Sequence, residues 1–333
     1  MAAAAGRELR VAVVGATGAV GEQIVELIDA RALPCAELAL FATERGATQT
    51  IEALGQALPV AEFHDPGELS RFDIAYLAVA PSWAADIVRA RPGPLLVDLS
   101  AAVRAPSEVP VIPYVAPGFT PPERIAEFAE RSKVIAIAHP AAHALATIIN
   151  AAGAQSAVVC ATVMLGASSA GRHNVEEAVR ESRDLLSGAH SLEEGETQRA
   201  FNAYPADPEG GLAATLAAQT AALLGTATRL VIEVIHIPVL HGTAMTVLIP
   251  DPTDPASLAA RLRAAPGLLL VEGEEGSAGV IDAVGQEAIL VVLSQQPAGA
   301  AVWCAFDSAR LAALDAVWVA EKFTAAVTAP GAA

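Results

Sequence analysis

A glycine-rich turn between a short apolar strand and a helix is the sequence feature that most restricts how this chain can fold. The apolar run Leu9–Val14 is followed by the heptapeptide GATGAVG and then by the helical periodicity of residues 22–30. Glycines are required where the backbone turns tightly, approaches a pyrophosphate closely and lets a helix pack onto a strand. The pattern predicts a dinucleotide-binding domain. Its phosphate site would lie at the start of the helix and comprise Gly15, Thr17, Gly18, Ala19, Val20 and Gly21.

The residues after the second predicted strand, 37–42, indicate which dinucleotide is bound. An NAD enzyme usually carries an acidic residue there, which binds the ribose hydroxyls. Here Thr43, Glu44 and Arg45 offer both signs of charge, and Thr43 and Arg45 suit a ribose 2′-phosphate. This favours NADP as the cofactor, whereas a solvated loop containing Glu44 and Arg45 is equally compatible with the sequence.

The remaining pattern predicts an α/β protein of two domains. Buried strands alternate with helices as far as residue 138, which is typical of a parallel sheet. After His139 fewer helices separate the strands, as in a mixed sheet, and residues 307–323 again have helical spacing. A chain of 333 residues is also longer than one hydrophobic core usually fills. We expect one domain from residues 1–138 plus 307–333 and an inserted domain from residues 139–306.

Composition and charge argue against several classes of function. The net charge of −17 disfavours nucleic acids and anionic membrane surfaces, which both attract basic proteins. The longest uncharged stretch, about residues 144–171, contains polar residues and glycines, so we interpret it as a buried helix and strand, not a membrane span. The N-terminus does not resemble a signal peptide, and a cytoplasmic location is expected. Three scattered cysteines predict neither a disulfide framework nor a metal site.

Five short motifs follow one another along the chain. They are GATGAVG at 15–21, FATERGA at 41–47, LSAAVR at 99–104, IPVLHG at 237–242 and DAVG at 282–285. Each is moderately specific, but their shared order resembles that of the aspartate-β-semialdehyde dehydrogenases over nearly the whole chain, roughly residues 8–323.

The resemblance implies a fold, an assembly and a reaction. The N-terminal part and the final helix would form a Rossmann domain, and the inserted α/β domain would catalyse and form a homodimer. In that family a cysteine thiolate attacks an aldehyde, a hydride passes to NADP, and phosphate releases the acyl group. A histidine acts as the base, and arginines bind the substrate carboxylate and the phosphate.

The residues that would carry out this reaction are replaced in this chain. The family's nucleophile lies in Asn-Pro-Asn-Cys-Ser-Thr, and the matching residues 139–144 have Ala142 in the place of the cysteine. The base histidine corresponds to Thr243, and the carboxylate-binding arginine seven residues earlier corresponds to His236. A methyl group cannot form a thiohemiacetal, and a threonine does not titrate near neutral pH.

Other positions that the family uses are partly kept. Arg104 matches the phosphate-binding arginine, Gln219 stands where a substrate-side glutamate is expected, and Leu165 replaces a glutamine. The glycine-rich segment expected close to the nicotinamide is here Ala80-Pro81-Ser82, in which the proline lacks an N–H donor and has a fixed φ. Binding of NADP is therefore left open.

Three functions are compatible with these residues. The leading hypothesis is a Usg-type member of the family, which lacks the cysteine and serves as a dimeric scaffold or binds a small ligand. The first alternative is an NADP-dependent dehydrogenase of amino-acid biosynthesis. The second is a pocket beside Arg104 that binds a metal through neutral imidazoles or a small anion through partly charged ones. Its histidines would be His139, His143, His236 and His241.

Overall fold

The computed structural model describes residues 8–100, 114–155, 157–189, 197–226, 228–250, 255–272 and 278–327. The chain divides into two compact units, Met1–His139 with Ala312–Ala333 and Pro140–Leu311. Both units combine helices with a β-sheet, so the predicted α/β class is confirmed. Within the described ranges no helix is long and apolar enough to cross a membrane.

The first unit contains one sheet with helices on both faces. Its strands are β1 Leu9–Val14, β2 Cys35–Ala42, β3 Thr50–Ala53, β4 Gln56–Glu62, β5 Ile74–Leu77, β6 Leu95–Asp98, β7 Tyr114–Val115 and β8 Val134–Ile137. Its helices up to residue 139 are α1 Ala19–Ala30, α2 Pro81–Ala90 and α3 Pro122–Arg131, besides a 3-10 turn at Pro66–Arg71.

The strand order of this sheet is typical of a Rossmann-like fold. Among the described residues it reads β3-β4-β2-β1-β5-β6-β8-β7, and all neighbours are parallel except β3 and β4. The chain leaves β1 toward β2 on one side and later returns to β5 on the other. This change of direction opens a crevice at the carboxyl ends of β1 and β5, where ligands of such sheets bind.

The second unit contains a mixed sheet. Its strands are β9 Val158–Leu165, β10 Tyr204–Pro205, β11 Arg229–His236, β12 Thr243–Pro250, β13 Leu268–Leu270, β14 Ile289–Gln296 and β15 Gly299–Phe306, in the order β10-β11-β9-β12-β15-β14-β13. Its helices are α4 Pro140–Ala152, α5 Arg172–Ser187, α6 Gly211–Leu224, α7 Pro255–Ala264 and α8 Val280–Ala283, with a 3-10 turn at Ala167–Ala170. The final helix, α9 Ser308–Val327, ends the described chain.

The two faces of this mixed sheet differ in burial. On one face alternate residues of β9, β12 and β15 pack with α4, α6 and α7 into a core. The opposite face, called the open face below, contains Val158 and Cys160 of β9, Val231 of β11 and Leu248 of β12. Val231 and Leu248 both pair in register with Cys160, so these residues form a row across three strands. Val158, Val231 and Leu248 are 39%, 60% and 48% exposed.

Candidate functional site

A tight glycine turn joins β1 to α1 in the first unit. Gly15 has φ +91°, and a Cβ at this position would lie 2.2 Å from the carbonyl oxygen of Ala78. The N–H groups of Gly15 and Ala16 donate to the carbonyl oxygen of Phe41 at 2.8 and 3.0 Å. No side chain caps the N-terminus of α1 at Gly18, so its first N–H groups are available to an external acceptor. This arrangement fits the pyrophosphate of a dinucleotide.

The segment after β2 lies against this turn. A Cβ at Gly46 would lie 2.7 Å from the hydroxyl oxygen of Thr17, so the two turns are in contact. The N–H groups of Gly46 and Ala47 donate to the carbonyl oxygen of Thr43, which makes the segment a compact turn. Thr43 and Arg45 are exposed at its surface. Their position beside the glycine turn is compatible with the predicted contact to a ribose 2′-phosphate.

In the second unit Ala142 lies in the first turn of α4. It is fully buried, as are the residues around it in the helix, and its methyl group contributes to the apolar core. The hydroxyl of Thr220 on α6 donates to the carbonyl oxygen of Ala142 at 3.5 Å. Gln219, the neighbour of Thr220, is also buried. The structure thus places the predicted Gln219 on the helix that packs against the Ala142 turn.

Three other positions that the resemblance indicates lie side by side at the ends of adjacent strands. Leu165 ends β9, His236 ends β11 and Thr243 begins β12. In the strand pairing Leu165 is the partner of both His236 and Thr243. The structure therefore brings Leu165 next to two residues that lie more than 70 positions later in the sequence.

Thr243 is enclosed in the structure. It is completely buried, and its hydroxyl shares a hydrogen bond of 2.7 Å with the hydroxyl of Ser308 at the start of α9. Neither hydroxyl is a proton acceptor near neutral pH, unlike the imidazole expected at this position. The pair can orient a polar group, but it cannot act as a general base.

His236 lines a cleft of about 150 Å³ in the second unit. The cleft lies between α5, the segment 199–204 and the segment 236–240. The ring of His236 lies 5.1 Å from the ring of Tyr204, with which it is paired between β10 and β11. Arg199 forms an ion pair with Glu177 of α5 and donates to the side-chain oxygen of Asn174 at 3.2 Å. The guanidinium is therefore already held by a carboxylate of the protein.

The pKa shifts in this cleft favour uncharged rings. Burial lowers the pKa of His236 below its ordinary value, and the positive charge of Arg199 acts in the same direction, against a hydrogen bond with the backbone of Leu165. Burial raises the pKa of Tyr204, and Arg199 partly offsets this. At neutral pH the cleft thus presents a neutral imidazole and a neutral phenol, which does not favour the hypothesis of partly charged imidazoles around an anion.

The other predicted pocket residues lie elsewhere. His143 is buried within α4, His241 is exposed, and neither lines the cleft. His139 is half-buried immediately before α4, and Arg104 lies outside the described residues. Over the ranges that the structure describes, no three His, Cys, Asp or Glu side chains are grouped so that they could hold a metal ion. The geometry thus gives no support to the metal hypothesis.

None of the three cysteines occupies the nucleophile position. Cys35 belongs to β2 of the first unit, and burial raises the pKa of its thiol. Cys304 on β15 is completely buried, and burial raises its pKa strongly. Cys160 is half-buried on the open face of the sheet. An ordinary thiol requires a lowered pKa to be reactive at neutral pH, and burial has the opposite effect.

Sequence reasoning missed Arg199 and Tyr204, which form part of the cleft wall. Arg199 is a cation within the acidic segment of residues 188–211, and it precedes the apolar pair Ala200-Phe201. A cation within an acidic segment is the one local signal that could have indicated a role for Arg199. The pairing of Tyr204 with His236 joins residues 32 positions apart, and no local pattern predicts it.

Comparison with known proteins identifies relatives over most of the chain. The family model "Semialdehyde dehydrogenase, NAD binding domain" matches residues 10–127. The chain is 31% identical to an aspartate-semialdehyde dehydrogenase of Synechocystis, over 94% of this chain and 96% of that protein. It is 32% identical to a USG-1 protein homolog of Pseudomonas aeruginosa, over 94% and 97% of the two chains.

A solved structure has the same fold. The crystal structure of aspartate semialdehyde dehydrogenase II from Vibrio cholerae superposes with a TM-score of 0.83. The match covers 95% of this chain and 98% of that one, at 24% sequence identity. The fold of this chain thus occurs in a known structure.

Proposed function

Since this chain belongs to the aspartate-semialdehyde dehydrogenase family, we propose that it is a nucleotide-binding member that does not carry out the family's thiol-dependent oxidation of an aldehyde. The observation that carries this proposal is Ala142, a buried methyl group in the first turn of α4. It stands where the resemblance requires a thiolate. The similarity to a USG-1 protein homolog, as close as that to the named dehydrogenase, is consistent with it.

The replacement of the nucleophile is accompanied by replacement of the base and of the arginine that would bind the substrate carboxylate. Thr243 replaces the expected base, and its hydroxyl is engaged with Ser308. His236 replaces the arginine expected to bind the substrate carboxylate, and its lowered pKa keeps the imidazole neutral. Catalytic groups act as a unit, and removing the nucleophile alone costs on the order of 10⁶-fold in kcat in a well-studied serine enzyme. With all three groups replaced, no residual catalysis by this route is expected.

The first unit retains residues that would hold a dinucleotide. Gly15 and Gly18 form a turn that leaves the start of α1 open to the pyrophosphate, and Thr43 and Arg45 would contact the ribose 2′-phosphate. NADP, when bound in an enzyme of this family, supplies the acceptor for a hydride. The residues of this chain would bind and orient the nucleotide.

The proposal further includes a homodimer formed through the second unit. The open face exposes Val158, Val231 and Leu248 in one patch on a sheet whose other face is covered by helices. Contiguous apolar surface of this kind on a folded protein commonly marks an interface. The resemblance assigns dimerisation to this domain, and a second copy of the chain is the partner that we propose. A small ligand of this protein would then occupy the cleft at His236.

The test of inactivity is a phosphate-dependent assay of NADP reduction with aspartate semialdehyde, with the Vibrio cholerae enzyme as the positive control. The wild-type protein should give no turnover above background. Ala142→Cys should also be inactive, because the base and the carboxylate-binding group remain absent. Ala141→Cys is a matched control that places the same thiol one residue away. Robust turnover by the wild-type protein would establish the alternative, a working NADP-dependent dehydrogenase.

The test of the dimer is light scattering after size exclusion at micromolar concentration. The wild-type protein should have the mass of two chains. Val231→Glu should weaken association by at least about 100-fold, because an unpaired charge buried in an interface costs several kcal/mol. Ala57→Glu is the matched control, since Ala57 is an exposed strand residue on β4 of the first unit, outside the open face. A monomeric wild-type protein, or equal effects of the two variants, would contradict the proposed interface.

A further inference from the structure

An exposed tryptophan ends a row of aromatic rings in the first unit. Trp83 lies in the first turn of α2 and is 37% exposed. Its ring centroid is 6.2 Å from that of Phe63, with an interplanar angle of 64°, and Phe63 is in turn 5.6 Å from Phe41. Phe41 and Phe63 are buried. We call these three residues the aromatic row, and Trp83 is its end at the surface.

The aromatic row runs along the carboxyl ends of the strands, next to the glycine turn. The carbonyl oxygen of Phe41 accepts the hydrogen bonds of Gly15 and Ala16, and the N–H group of Phe63 donates to the carbonyl oxygen of Ala42 at the end of β2. The segment that leads into α2 begins at Ala78, whose carbonyl oxygen would lie 2.2 Å from a Cβ at Gly15. Trp83 is therefore attached to the edge of the sheet that contains the carboxyl ends of β1 and β5, where ligands of such sheets bind.

The contacts of Trp83 place it on the β2 and β4 side of this edge. Phe41 belongs to β2, and Phe63 directly follows β4. Thr43 and Arg45, at the end of β2, lie on the same side. In sheets of this type the end of β2 is where the ribose of the adenosine half is bound. The resemblance predicted that the neighbouring segment, residues 80–82, lies close to the nicotinamide, but the ring contacts direct Trp83 toward the adenosine side.

We propose that Trp83 is the surface on which the adenine base of the dinucleotide stacks. This inference rests on the proposed nucleotide binding and deepens it. An indole ring offers a large π-face, and Phe63 holds it from one edge so that little side-chain freedom is lost on binding. The base would stack on Trp83 while the 2′-phosphate is bound at Thr43 and Arg45. Trp83 would then supply affinity that is independent of the replaced residues in the second unit.

Adenosine 2′,5′-bisphosphate and nicotinamide mononucleotide separate the two halves of the dinucleotide. Calorimetric titration of the wild-type protein should show binding of the bisphosphate and none of the mononucleotide. In Trp83→Ala the dissociation constant for the bisphosphate should rise by roughly 5- to 150-fold, the effect of removing one base-stacking aromatic ring. Trp83→Phe retains a ring and the contact with Phe63, so it should lose much less affinity and also controls for any damage to folding.

Tryptophan fluorescence gives a second readout, because the chain has three tryptophans and the other two, Trp303 and Trp318, are half-buried. Stacked adenine should quench the emission of the wild-type protein, and Trp83→Phe should abolish the quenching while binding persists. Binding of the bisphosphate by Trp83→Ala with the wild-type dissociation constant would overturn the role of Trp83 and leave nucleotide binding intact. Absence of binding to the wild-type protein would overturn both proposals.

Discussion

Replacing Gly21 with alanine is expected to destabilise the first unit, because there is no space for a methyl group between α1 and the turn before it. A Cβ on Gly21 would lie 2.1 Å from the carbonyl oxygen of Gly15 and 2.8 Å from the Cα of Ala16. Both are backbone atoms, which cannot move aside by rotating a side chain. Since Cβ atoms essentially never approach closer than 3.0 Å, α1 must shift by about 1 Å.

The size of the effect follows from what α1 buries. Ile24, Leu27 and Ile28 are completely buried in the core of the first unit, so a displaced α1 loses contacts along its whole apolar face. Inserting an extra methyl group into a packed region costs about 1–3 kcal/mol, and the higher helix propensity of alanine returns about 1 kcal/mol. With the steric cost at the upper end of its range, we expect a net loss of about 2 kcal/mol, or a fall in Tm of roughly 4–8 °C.

Thermal unfolding followed by circular dichroism measures this change, and Gly18→Ala is the matched control. A Cβ on Gly18 would lie 3.3 Å from the carbonyl oxygen of Gly15, and Gly18 has the ordinary extended φ of −82°. This variant should lose less than about 1 kcal/mol, the usual size of an N-cap substitution. The steric argument would be refuted if Gly21→Ala melted within 1 °C of the wild-type protein by this method, or if both variants lost the same stability.

The pKa shifts lead to two further predictions. The pKa of His236 is lowered in the folded state, so below the ordinary histidine value of 6.5 the unfolded chain binds a proton more readily than the folded protein. The free energy of unfolding should therefore fall as the pH drops below 6.5. His236→Gln should flatten this part of the pH profile of Tm. Burial raises the pKa of Cys304, so in a Cys35→Ala/Cys160→Ala variant an aromatic disulfide reagent should label Cys304 at the rate of global unfolding. Rapid labelling of the folded variant would show that this strand opens locally.

The fold could be predicted from the sequence where a local pattern has one structural meaning. The strand, glycine turn and helix over residues 9–30 are an example, because the turn restricts the backbone on both sides. Helix α6 was not predicted. Its sequence consists largely of alanine, leucine and threonine, and without a polar face it has little helical periodicity. Its burial against the Ala142 turn depends on tertiary packing.

In the candidate site too, some residues could be located from local sequence, whereas the contacts between distant segments could not. Ala142 could be located from Pro140, two positions before it, and Thr243 from the glycine directly before it. One row contains Leu165, His236 and Thr243 because segments distant in sequence pair as neighbouring strands. The sequence of a strand does not encode which other strand it pairs with. The convergence of histidines was expected because they lie in two segments that the resemblance assigns to the active site. Position in a segment does not show which imidazoles are buried, and α4 buries His143.

The return of α9 to the first unit has a consequence for how the chain folds during synthesis. Leu314, Val317 and Val319 of α9 belong to the same core as Ile24 and Leu27 of α1. The ribosome makes the roughly 170 residues of the second unit between these two segments, which takes on the order of 10–35 s at usual elongation rates. For that time the nascent first unit exposes the apolar surface that α9 later covers, and exposed surface of this kind makes a partly folded chain prone to aggregation. The second unit is continuous in sequence and can complete its core before the first unit, although its synthesis begins later.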